Sequence, residues 1–356
     1  MKNKIAIASA FLAASSFSMG EIVVNEFLSF EGFVDTSYSH TDTENEIGNP
    51  NTSVSDNSFQ VDEVEVSWLF NFAAVSGQVD TQLEGGDRSD TGDGFFVEQA
   101  FVNLPLANGD VVTVGRYASM LGFEAFEPTG LYQYSTAYGQ SVLPGYAQGI
   151  KYTRESGASV FGISLQDEAF DNFRNFDAAN NFQGVGQNLS SSSFGLEVAY
   201  SRDLGNGFAI FIGGAFEDST FGDTNVINTY VTYETGAWIF AAEFNTGNSE
   251  NGVFSVRDFN DAVIIGGTDV DANSGLLMAN YAYSADSSVT ARISFEEFEG
   301  QNNVQGDRTS YTLAHNKALN DNLALIVEVS RADVEISNIV KDEETTEVAV
   351  ELLFTF

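Results

Sequence analysis

Ten carboxylates fall on the polar side of short alternating segments: Glu63, Glu65, Asp80, Glu197, Glu234, Glu243, Glu296, Glu328, Glu347 and Glu351. Around Glu63 and Glu65 the other side carries Val64, Val66 and Trp68. In the last segment Val348, Val350, Leu352, Phe354 and Phe356 alternate with Glu347, Ala349, Glu351, Leu353 and Thr355. The polar sides carry few cations, namely Arg116, Lys151 and Arg292. If the apolar sides met lipid, the carboxylates would line an enclosed space. A wall of one charge sign lowers the barrier for ions of the other sign, so the pattern predicts a cation-preferring passage. The bland alternative is that these groups sit at rims or pair with Arg, and merely keep the surface hydrated.

A second group lies in a stretch without alternation, residues 118–145. Glu124 and Glu127 stand there among Phe123, Phe126, Tyr132, Tyr134 and Tyr138. Folded inward as a constriction loop, these carboxylates would face a basic wall and set up a transverse field, and the rings could stack on sugars. Folded outward, the same stretch would cover a rim or form an oligomer contact. Between Asp87 and Glu98 the spacing of Asp87, Ser89, Thr91, Gly92, Asp93 and Glu98 partly matches a calcium loop. Such a loop needs flanking helices and this one is flanked by strands. Asp87, Asp93 and Glu98 are therefore a weak calcium candidate, and no metal or other cofactor is expected. Catalysis lacks a constellation as well. The two histidines, His40 at the start of a polar loop and His315 near a tight turn, fall at opposite ends of the expected fold, so they cannot share a nucleophile and an acid. No enzyme is expected.

The elements that must position these groups are strands of about ten residues separated by turn chemistry. The first runs over about 28–38 and the second over 58–69, with the polar stretch 39–57 between them. The last follows a loop over 332–345. Sixteen such strands can be drawn, and long polar connections alternate with short turns throughout. That rhythm predicts an all-β fold: a transmembrane antiparallel up-and-down β-barrel with long external loops and short periplasmic turns. Lys2 and Lys4, the apolar run 5–14 and small residues before Gly20 read as a signal peptide over 1–20, leaving 21–356 as one barrel domain. The net charge of −37 excludes nucleic-acid binding by phosphate neutralisation. With 43% hydrophobic and 13% aromatic residues the chain is not a disordered acidic protein. Cysteine is absent and no proline follows Pro144, which suits a long run of paired strands. A soluble β-sandwich or secreted adhesin is the competing fold, since periodicity alone does not tell inside from outside.

Residues 97–152 carry the runs E-Q-A-F-V, T-V-G-R-Y, L-G-F-E-A-F-E-P and Y-Q-Y-S in that order. This stretch resembles the OmpL-like β-barrel porins of Gram-negative bacteria, and the rest of the chain is similar only in being barrel-like. The resemblance implies passive transport of small hydrophilic solutes or cations across the outer membrane. It also implies that Phe354 and Phe356 belong to a signal read by the barrel-assembly machinery. Expected partners are outer-membrane lipid, that machinery, the permeating solutes and, for a barrel of this size, two further copies in a homotrimer. Expected pore-lining or constriction residues are Glu63, Glu65, Asp80, Arg116, Glu124, Glu127, Tyr132, Tyr134, Arg292, Glu347 and Glu351. A substrate-specific channel, or a surface-binding barrel without an open pore, would share these sequence features.

Overall fold

Strands whose two faces differ in polarity can satisfy their edges only by pairing with further strands, and here each pairs with its sequence neighbour. The computed structural model describes residues 20–45, 52–84, 95–139, 142–170, 194–219, 222–250, 256–257, 263–265, 269–300, 304–337 and 341–356. The proposed signal peptide lies almost wholly outside them. A two-residue strand, β1 (Ile22–Val23), precedes the barrel. The first half of the wall is β2 (Leu28–Asn45), β3 (Thr52–Asn71), β4 (Ser76–Glu84), β5 (Phe95–Pro105), β6 (Val111–Ala118), β7 (Tyr146–Ser156), β8 (Ser159–Gln166) and β9 (Phe194–Gly205). It continues with β10 (Phe208–Ser219), β11 (Gly222–Thr235) and β12 (Trp238–Ser249). A small separate hairpin, β13 (Val256–Arg257) with β14 (Val263–Ile265), follows. The wall is completed by β15 (Val270–Ser284), β16 (Ser287–Gly300), β17 (Val304–Asn320), β18 (Leu323–Ile336) and β19 (Lys341–Thr355). All sixteen wall strands pair antiparallel, and β19 pairs with β2 to close the barrel.

Closure runs from Glu343↔Asn45 to Thr355↔Phe33. It extends one step further, where the Gly32 N–H donates to the Phe356 carbonyl (2.8 Å) and the Phe356 N–H donates to the Gly32 carbonyl (2.9 Å). The faces sort as the alternation predicts. Val348, Val350, Leu352 and Phe354 are exposed, whereas Glu351, Leu353 and Thr355 are buried. Round the wall Val114, Ile150, Ile212, Leu277 and Leu313 are also exposed, while Ser164, Asn228, Asn245, Thr290 and Ser294 are buried. Such inverted polarity suits a wall that meets lipid outside. At the short-turn end Phe30, Trp68, Phe354 and Phe356 form an outer aromatic cluster, with Phe30–Trp68 at 5.6 Å and Phe354–Phe356 at 5.8 Å between ring centres.

The strands are longer than the alternation suggests. Much of the stretch 39–57 is strand: His40 pairs with Val348 and Asn57 rather than beginning a loop. Most of 332–345 is strand too, and the β10–β11 connection is a hairpin closed by Ser219↔Gly222 rather than a long loop. Beyond the lipid both faces of a strand meet water. The apolar contrast that marks a strand in sequence disappears there, although the backbone ladder continues. A bulge between Asp35 and Thr36 in the β2–β3 register adds one residue, Asp62, opposite no partner.

Gly32 tests the closure. A Cβ there would lie 2.3 Å from the Glu65 carbonyl oxygen and 2.8 Å from the Phe356 ring. Gly32→Val is expected to destabilise the barrel by about 1–3 kcal/mol through overpacking. The temperature at which the folded band is lost in a gel-shift heating series should drop, and an unchanged temperature would count against this account of the seam.

Candidate functional site

A chain segment crossing a barrel interior brings backbone N–H groups that have no ladder partner, and each needs an acceptor. Residues 118–139 and 142–145 lie inside this barrel, and several of their N–H groups find wall carboxylates as acceptors. The Met120 N–H donates to Glu197 Oε1 (2.5 Å), and the Ser119 hydroxyl to Glu197 Oε2 (2.8 Å). Phe123 N–H donates to Glu243 Oε1 (2.8 Å), whose other oxygen accepts from the Tyr138 hydroxyl (2.8 Å). Tyr134 and Ser135 N–H groups share Glu328 Oε2 (2.9 and 3.2 Å). Gly139 N–H reaches Glu296 Oε2 (2.8 Å), which also accepts from Arg308 (2.9 Å). The loop's own carbonyls are met in turn, Tyr132 O by Thr290 (2.8 Å) and Asn316 (2.7 Å).

Arg292 and Glu124 are the centre of this arrangement. The guanidinium donates to Glu124 Oε1 (2.6 Å), to the Ser135 carbonyl (2.7 Å) and hydroxyl (2.9 Å), and to the Thr136 carbonyl (2.9 Å). Glu124 Oε2 then accepts the Ala137 N–H (2.6 Å). The Arg292 side chain is 1% exposed, and a charge that deep stays only because it is paired and hydrogen-bonded.

The other side chains expected at the site are placed as follows. Tyr134 bonds through its hydroxyl with Ser37 (3.2 Å). Burial, and after it the charge of Glu234, pushes the Tyr132 phenol up to about 12. Glu234 itself is exposed near the short-turn rim. Asp80 is buried and accepts from Gln78 and Gln99 amides. Glu351 is buried and Glu347 half-buried on the inner side of β19. Lys151 lies 4.3 Å over the ring of Tyr117. Arg116 is half-buried; its Nε donates to the Glu98 carbonyl (2.9 Å) and its guanidinium lies 5.6 Å from the Tyr146 ring centre. It alternates in step with the exposed Val114, not with the buried Thr113 and Tyr117. Its Nε is thereby tied to β5, and Gly115 at φ 137°, next to it, interrupts the regular strand. Asp87 and Asp93 lie outside the described residues.

Glu98 joins a different group. One carboxylate oxygen from each of Glu63, Glu65, Glu98 and Glu127 lies within 4.8 Å of the others. Burial, followed by the charges of Glu65, Glu98 and Glu63, raises the carboxyl of Glu127 well above the ordinary range.

An apolar part of the inner wall escapes strand alternation as a signal. Met120, Leu121 and Val142 of the loop pack with Ala199, Phe211, Ala215 and Val226. Phe123, Tyr132 and Ala137 pack with Ala241, Leu276 and Met278. The clue available in sequence is that β10 and β15 carry apolar residues at both parities, as in Phe208–Ile212 and Leu276–Met278.

Residues 28–356 match the family model described as putative beta-barrel porin-2, OmpL-like. No curated protein matches in sequence. Among solved structures the fold is similar to the outer membrane channel DcaP of Acinetobacter baumannii, with TM-score 0.64 and 8% identity over 92% of this chain and 97% of that one. An anion-selective porin from Comamonas acidovorans gives TM-score 0.60 and 15% identity over 92% and 99%. The trimer form of in-vitro folded OmpT, an outer membrane protein of Vibrio cholerae, gives TM-score 0.57 and 12% identity over 92% and 99%. At these identities the likeness concerns the fold alone.

Removing Arg292 as Arg292→Leu leaves Glu124 as a buried charge without its partner, a cost of about 3–5 kcal/mol. Glu328→Ala strips two loop N–H groups of their acceptor, at about 1–3 kcal/mol for each group left unmatched. Both variants are expected to keep a heat-resistant barrel but to be cut faster within 118–145 by added protease. Equal cutting of variant and parent would show that these contacts do not hold the loop.

Proposed function

The chain belongs to the putative beta-barrel porin-2, OmpL-like family, and on that footing we propose that this outer-membrane porin passes small hydrophilic solutes by diffusion with a preference for cations. One observation carries the sign. Two of the inner cations are already committed, Arg292 to Glu124 and Arg308 to Glu296. Meanwhile Asp35, Asp62 and Glu351, which stand apart from any group the loop touches with a carboxylate of its own, each keep a buried oxygen without a hydrogen-bond donor. The remaining field inside the barrel is negative, which favours cations. Because an anion-selective porin shares this fold, the fold cannot set the sign, and the wall residues must.

Loop 118–145 is the constriction in this reading. Its apolar contacts lie on one side of the wall, and it also meets the acidic side, where Tyr134 bonds Ser37 of β2 and Glu127 joins Glu63 and Glu65 of β3. That packing also supports the narrower alternative, a substrate-specific channel or a barrel with little open pore. Phe354 and Phe356 at the seam would serve as the assembly signal, and the exposed apolar belt would meet lipid and two neighbouring copies in a trimer. His40 bonds Asn57 (2.9 Å) and Asp42 (3.2 Å), whereas His315 bonds Tyr283 (2.6 Å); neither takes part in transport.

Reversal potentials across a planar bilayer in a salt gradient test the proposal. The parent should show cation preference, the pair Asp35→Asn with Glu351→Gln should move the potential toward zero, and anion preference in the parent would sink the reading. Absence of any ohmic conductance would instead favour the closed barrel. His40→Ala and His315→Ala should each leave conductance unchanged.

A further inference from the structure

We infer that Glu63, Glu65, Glu98 and Glu127 form a calcium site that pins loop 118–145 to the barrel wall. Glu63 and Glu65 come from β3, Glu98 from β5 and Glu127 from the loop. Each offers an oxygen within 4.8 Å of the other three. That spread is about twice a calcium–oxygen distance, so a single ion can touch all four, whereas the shorter bonds and stricter octahedron of magnesium fit it less well. Carboxylate oxygens are the ligands a hard divalent ion takes, and four of them suit calcium's high coordination number.

The surroundings point the same way independently. Glu65 and Glu98 are 3% and 8% exposed, and each has an Oε2 atom that is buried without a hydrogen-bond donor. Glu65 Oε1 is used by the Ser67 hydroxyl (2.9 Å), which leaves Oε2 for the centre of the group. Glu63 Oε1 is likewise without a donor. Elsewhere in the interior, Arg292 meets Glu124 and Arg308 meets Glu296. Four like charges at this range repel, and a buried anion needs a counter-charge. A divalent ion supplies it and joins loop to wall in the same step. Tyr146, whose hydroxyl lies 3.2 Å from Glu127 Oε1, is close enough to transfer excitation to a lanthanide in the site. The site does not depend on which solute the barrel passes.

The experiment uses the full-length protein folded in detergent, with terbium as the luminescent probe and calcium as competitor, and calcium calorimetry beside it. The parent should bind terbium saturably, with tyrosine-sensitised emission that calcium displaces. Glu65→Gln with Glu98→Gln should weaken calcium at least tenfold, and Glu127→Gln, on the loop and outside the wall's ladder, should do so even if the wall variant fails to fold. Glu234→Gln, on β11 near the short-turn rim, should leave the affinity unchanged. Lack of saturable binding in the parent, or a Glu127→Gln variant that binds calcium as the parent does, would overturn the assignment.

Discussion

Every backbone donor and acceptor in a wall that faces lipid must be bonded within the chain, and this requirement governs the whole molecule. The sixteen-strand ladder meets it along its length, and the β19–β2 seam meets it where an open sheet would have two bare edges. The seam works because small and large residues are matched across it. Gly32 leaves room for the Phe356 ring, and the two backbones exchange both hydrogen bonds there.

The same demand recurs inside, with a different answer. Loop 118–145 has no ladder to join, so its N–H groups turn to glutamates projecting from the wall. Glu197, Glu243, Glu296 and Glu328 thereby act as acceptors for backbone as well as sources of field. A hydrogen bond to a charged acceptor contributes about 1.5–3 kcal/mol net, and several in one loop hold it against the entropy of a long free connection. The acidity of the interior is thus partly structural. What is left over stands on β2, β3 and β19, where Asp35, Asp62 and Glu351 keep oxygens without a donor.

Opposite demands meet in the Glu63–Glu65–Glu98–Glu127 group. Packing brings the loop down onto the wall, and doing so gathers negative charge at one point. Nearby, Arg292 resolves the equivalent problem for Glu124 with a guanidinium of the chain itself. The contrast between the two ends of the loop is a contrast in counter-charge: one is built into the chain, and the other is the one we assign to a calcium ion.

Strand alternation and the polarity of the two faces were legible in the sequence, because a strand between lipid and a polar interior must change character at every residue. The membrane-level part of the fold follows from that local rule, as does the identity of inner residues such as Glu65, Asp80 and Glu351. Strand ends were not legible, since past the lipid both faces are wet and the rule no longer applies. Nor were the partners of the inner carboxylates. Whether Glu243 faces a pore or accepts from Phe123, and whether Glu98 comes beside Glu65, depends on residues brought together from distant strands. Sequence alone determined which face a residue of an unbroken strand would occupy, because that is set by period two along one strand. Only the tertiary structure decided what each residue meets there, because inside a closed barrel the neighbours come from across the lumen.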